Sequence, residues 1–103
     1  MLKIERADTF IKRLLGLIGR KGLEPEHALL LAPCKAIHML GMGFAIDAVF
    51  VDKALCVKKI VRELKPWFGF AVCFEAWAVL ELRAGETVRL NLEVGQFLEV
   101  EWT

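Results

Sequence analysis

The spacing of apolar residues changes once along the chain. Between Asp8 and Gly22, Phe10, Leu14, Leu17 and Ile18 recur at helical intervals, with Lys12, Arg13 and Arg20 off that stripe. Asp8 or Thr9 supplies an N-cap, and Gly19 and Gly22 fall where the helix would end. This predicts one N-terminal amphipathic helix that packs against a sheet, with a place on a membrane surface as the alternative. Beyond Pro25 the pattern shortens to strand-like runs: Ala28 to Leu31, Ile37 to Leu40, Ile46 to Val51, Leu55 to Arg62, Ala71 to Cys73, Ala78 to Arg83 and Phe97 to Trp102. Turns are expected at Gly41 and Gly43, Asp52-Lys53, Lys65-Pro66, Ala84-Gly85 and Gly95. The predicted fold is mainly β: a compact antiparallel β-sandwich or partly closed barrel with the N-terminal helix against it.

One strand carries a conspicuous exception to its own pattern. In AIDAVFVD, Ile46, Ala48 and Phe50 face one way, and Asp47, Val49 and Val51 the other. A strand apolar on both faces is covered on both sides, so Asp47 is expected where water is scarce and must be paired there. The N–H groups of the preceding glycine-rich turn, Arg13, His38 and Lys65 are its candidate partners. An N–H cage would make it a structural clip.

Composition limits the alternatives. At 103 residues and 56% hydrophobic content, the chain has material for one domain with a real core. Its formal net charge of +1 supplies no field to recruit nucleic acid. Charge is unevenly placed, however. Lys3, Arg6, Lys12, Arg13, Arg20 and Lys21 outnumber Glu5 and Asp8 near the start, whereas Glu81, Glu86, Glu93, Glu99 and Glu101 outnumber Arg83 and Arg89 near the end. The two ends are therefore expected to attract one another, a basic patch for a phosphate or acidic partner being the alternative. No stretch approaches the roughly 20 apolar residues that span a bilayer. Lys12 and Arg13 interrupt the segment that a signal peptide would need unbroken, so the chain reads as mature and cytoplasmic.

Candidate chemistry is sparse. The absence of Ser and Tyr excludes serine-nucleophile hydrolysis and tyrosine acid catalysis. Cys34 and His38 are spaced to share one face and could form an activated nucleophile, but no local third group orients the histidine. The plainer reading is a buried thiol beside a strand-end histidine, and Cys34, Cys56 and Cys73 are all expected to be buried and reduced. His27 and His38 with the three cysteines match no zinc spacing, so neither a metal nor a cofactor is expected. Glu81, between Leu80 and Leu82, alternates onto the expected solvent side. Trp67 and Phe68 follow Pro66, where they either cover one end of the core or line a groove.

Six segments in register resemble the domain-of-unknown-function 192 family of small bacterial and archaeal proteins. They are RLLGLIGRKGL (Arg13 to Leu23), ALLL (Ala28 to Leu31), IHMLGMGFAIDAVFVD, KPW (Lys65 to Trp67), VLEL followed by AG (Val79 to Gly85) and the terminal VGQFL. His38 stands where many members carry Trp, a feature that resembles a Gram-negative subgroup, and Gln96 replaces the usual acidic residue. The resemblance implies a small mainly-β fold and a short helical turn after Gly85, whereas Val88, Leu90, Leu92 and Val94 alternate as in a strand. It implies no enzymatic activity.

The expected function is a non-enzymatic ligand-binding or accessory module, with a small molecule or a protein as partner. Its groove would be bounded by the IHMLGMG and KPWF loops, with Arg13, His38, Met39, Asp47, Lys65, Trp67 and Glu81 as candidate binding or structural residues. The subgroup that the chain resembles implies an accessory role beside secretion or pilus machinery. The alternative is a small enzyme using Asp47 or the Cys34/His38 pair on a compact substrate.

Overall fold

The computed structural model describes residues 2–6, 25–40 and 42–102. The expected N-terminal helix, with Arg13, lies outside the described residues. Among the described residues there are eight strands: β1 (Leu2–Arg6), β2 (His27–Leu31), β3 (Ala36–His38), β4 (Ile46–Val51), β5 (Val57–Leu64), β6 (Phe70–Val72), β7 (Ala78–Arg83) and β8 (Val100–Trp102). One helical turn, α1 (Glu86–Arg89), follows β7. The fold is mainly β, as expected, but its main sheet is open and mixed, not an antiparallel sandwich or barrel. Six strands lie in the order β5-β4-β7-β2-β1-β8, and β3 and β6 form a separate two-stranded ribbon.

Parallel pairing enters through β1, which runs parallel to both β2 and β8. The N- and C-terminal strands are thereby neighbours, with Lys3 opposite Glu101, in keeping with the opposite charge of the two ends. Before reaching β1 the C-terminal arm hooks onto the far edge of the sheet. Val57 N–H donates to Gln96 O, Gly95 N–H to Val57 O and Leu98 N–H to Leu55 O. The ladder nevertheless stays open, because β5 and β8 are its two edges.

β4 is buried at every position, as its two apolar faces require. On one face Ile46, Ala48 and Phe50 pack with Val79 of β7, Leu29 of β2 and the inward-facing Ile37, Met39 and Ala71 of the ribbon. On the other, Val49 and Val51 pack with Leu80, Leu82, Leu30 and Ile4, and Leu92 from the segment after α1 closes over them. The main sheet is therefore the middle of three layers. The ribbon covers one face; α1 and the C-terminal arm cover the other. No described helix is long and apolar enough to cross a membrane.

Candidate functional site

Asp47 is completely buried and sits at a defect in the β4–β5 ladder. Ile46 pairs with Leu64 and Ala48 with Val61, so Arg62 and Glu63 together oppose Asp47. Such a bulge leaves a backbone donor without its ladder partner. Glu63, at φ 53, turns that N–H onto Asp47 Oδ1 at 2.9 Å. The other oxygen, Oδ2, accepts from Gly85 N–H at 3.2 Å, Thr87 N–H at 3.1 Å and Thr87 Oγ1 at 2.6 Å. Thr87 Oγ1 in turn accepts from Arg62 Nε at 3.1 Å. One carboxylate thus ties the bulged end of β5 to the first turn of α1.

Gly85 at φ 93 lets the chain turn into α1 so that the N–H groups of residues 85 and 87 converge on that carboxylate. Glu86 of the same turn anchors it on the other side. Its oxygens accept Arg89 Nε at 2.7 Å and Nη2 at 2.8 Å, and Glu26 N–H just before β2 at 2.8 Å. The Arg89 guanidinium, assisted by the Glu26 N–H and opposed by burial, holds Glu86 down at about 2 from its ordinary 4.5.

An N–H cage is what Asp47 has, but its donors are not those suggested by the sequence. They come from Glu63, Gly85 and Thr87, whereas His38 and Lys65 make no hydrogen bond to it. His38 is exposed on the outside of the ribbon, opposite Phe70 and on the other side of the sheet from Asp47. The Cys34 thiol donates to Ala36 O at 3.0 Å, so it is not engaged with His38. Cys56 is buried, but Cys34 and Cys73 are only half-buried, because both lie at the rim where the ribbon meets the core. Glu81 departs most from expectation. It is 2% exposed on the ribbon-covered face, flanked by Leu29 and Ala48, since the layer above β7 removes the solvent side that the alternation implied.

Trp67 and Phe68 depart from the core-cover reading as well. Phe68 is 89% exposed, Phe70 65%, Leu40 64% and Trp67 54%. Backbone bonds place them together: Met39 N–H donates to Gly69 O and Trp67 N–H to Met39 O, while Met39 itself is buried. The loop between β5 and β6 is tight, with Phe68 N–H on Pro66 O and Gly69 N–H on Lys65 O. A Cβ at Gly69 would stand 2.7 Å from Lys65 O and 2.9 Å from Met39 Cγ, so glycine is required there. Lys65 is exposed beside this tip. This outward apolar face was not legible as such, because WF after a proline is equally compatible with a core plug. Two surface clefts, of about 310 and about 530 Å³, are lined by neither Asp47, His38 nor Glu81.

An open mixed sheet with a carboxylate-filled bulge under one turn of helix and an aromatic ribbon on its other face defines a small mainly-β class of proteins. The chain belongs to the domain-of-unknown-function 192 family, described as Uncharacterized ACR, whose pattern matches residues 1–100. A UPF0127 protein from Pyrococcus furiosus is 34% identical over 95% of this chain and 86% of its own length. One from Pyrococcus abyssi is 35% identical over 97% and 86%. Among solved structures, a Sinorhizobium meliloti protein named a "putative transcription regulator" superimposes with a TM-score of 0.81 at 25% identity, over 93% of this chain and 79% of that one. A protein of unknown function from Novosphingobium aromaticivorans gives 0.75 at 24% identity, over 93% and 71%, and shares the fold.

Proposed function

We propose that the chain is a non-enzymatic binding module that docks through the outer face of the β3–β6 ribbon and the loop at residues 65–69. The observation that carries this reading is the exposure of Leu40, Trp67, Phe68 and Phe70 on a loop fixed by its own backbone bonds. Large apolar side chains gathered on a rigid exposed surface favour recognition of a partner. The alternative chemistry lacks support. Asp47 is sealed from solvent with four donors on it, and the sheet separates it from His38. An accessory role beside a larger assembly suits a module of this kind.

The test is a photoreactive phenylalanine analogue at position 68, compared with the same group at Val94, which is exposed on the C-terminal arm. Irradiation of cells making each protein should give discrete adducts, of protein or of lipid, from position 68 and none from 94. Equal or absent adducts from the two positions would remove the ribbon face as a docking surface.

A further inference from the structure

We infer that the partner met by the ribbon face is the surface of an anionic lipid bilayer. The inference rests on the ribbon face being the docking surface and adds what that surface meets. Its first support is charge. Residues 34–46, which include β3, and residues 64–74, which include β6, contain Lys35, His38 and Lys65 but no carboxylate. A third cation reaches the same ribbon from β5, where Lys59 Nζ lies 2.9 Å from Val72 O. Lys35, Lys59 and Lys65 are all exposed. Of the carboxylates flanking these segments, Asp47 is buried on the far side of the sheet, whereas Glu63 and Glu75 are exposed at the two ends of the second segment, Glu75 sharing a surface cleft with Asp52 and Lys35.

Its second support is shape. Leu40, Trp67, Phe68 and Phe70 are each more than half exposed, Phe68 almost wholly, so their apolar surface is open to an apolar phase. The loop that carries Trp67 and Phe68 is held by hydrogen bonds to Lys65, Pro66 and Met39, so it needs little ordering on binding. An indole and two phenyl rings beside lysines match the boundary between acyl chains and anionic headgroups, where aromatic side chains settle and each nearby cation adds attraction. Phe68 and Trp67 enter that boundary, and Lys35, Lys59 and Lys65 meet the headgroups.

The experiment uses the whole chain with Trp77 and Trp102 changed to Phe, leaving Trp67 as the reporter. It is mixed with vesicles of phosphatidylcholine alone or with added phosphatidylglycerol. Co-sedimentation and a blue-shifted Trp67 emission, quenched by brominated acyl chains, are expected with the anionic vesicles and fade as salt is raised. Phe68→Ser should weaken partitioning roughly tenfold, and Lys65→Ala about fivefold. Both keep the parent melting temperature, because these side chains are exposed. No partitioning to the anionic vesicles, or partitioning indifferent to Phe68→Ser, would overturn the inference. A dimer that Phe68→Ser dissolves would do so too, by giving the face to a second copy. Should vesicles fail while position 68 still crosslinks to a protein in cells, the lipid inference falls and the docking reading stands. If both fail, both fall.

Discussion

At the scale of single residues, the demand for a partner that Asp47 creates is met by four hydrogen bonds from Glu63, Gly85 and Thr87. A buried carboxylate is tolerable when charge-assisted hydrogen bonds replace its hydration. Thr87 supplies two of the four, through its N–H and its hydroxyl, and its hydroxyl also accepts Arg62 Nε. Thr87→Val keeps the shape and the N–H but removes both hydroxyl bonds in a buried position, so it should lower unfolding free energy by about 1–3 kcal/mol in chemical denaturation. A Thr87→Val protein as stable as the parent would mean that the hydroxyl contributes nothing to the clip. The need for a partner was legible in the sequence because Asp47 interrupts an apolar strand. The partners were not, since Glu63, Gly85 and Thr87 lie 16, 38 and 40 residues away and become neighbours only through the bulge and the α1 turn.

Among the elements, those whose sequence pattern and environment agree were legible to the residue. β4 and β7 occupy the expected Ile46–Val51 and Ala78–Arg83 because continuous apolar character matches burial on both faces. β5 runs from Val57 to Leu64 and not from Leu55, since Asp52 Oδ1 accepts the N–H groups of Ala54 and Cys56 and holds the preceding residues in a turn. β1 went unread: LKIER is short, and both its parallel partners lie far along the chain. Val88 to Val94 alternate as a strand would, yet form none: the segment enters through α1, because the Gly85 turn and the carboxylates of Asp47 and Glu86 capture its backbone and side chains. The resemblance to the family anticipated that turn where periodicity did not.

Two element-scale consequences can be measured. Glu86 joins α1 to the start of β2, and its folded value of about 2 lies below the ordinary 4.5. A depressed carboxyl stabilises the fold above the unfolded value, and that contribution is lost as pH falls through the folded one. Stability should therefore decline between pH 4.5 and about 2, and Glu86→Gln should flatten the profile in that window; a variant profile parallel to the parent would contradict this role. In the ribbon loop, the Cβ of Gly69→Ala would meet the backbone of Lys65 at 2.7 Å. Backbone cannot give way as a flexible side chain can, so a loss of about 1–3 kcal/mol is expected in denaturant titration. An unchanged midpoint would show that the loop is looser than its hydrogen bonds imply.

In the molecule as a whole, Asp47 and the aromatic tip stand on opposite sides of the main sheet. Asp47 lies under α1 and the C-terminal arm, and the aromatic tip stands on the ribbon that covers the other face. The central claim is energetic: the carboxylate, with four hydrogen bonds on it, holds the fold together, whereas the side chain of Phe68, almost wholly exposed, adds nothing to its stability. Asp47→Asn presents an amide donor to at least one of four donors, whichever way the amide lies, and should lose about 1–3 kcal/mol. Phe68→Ser, at a side chain 89% exposed, should stay within roughly 0.5 kcal/mol of the parent. Measuring unfolding free energies of the two variants side by side in denaturant tests the claim most directly. The account predicts a clear loss for Asp47→Asn and none for Phe68→Ser. An Asp47→Asn protein as stable as the parent, or a Phe68→Ser protein destabilised to the same degree as Asp47→Asn, would contradict it.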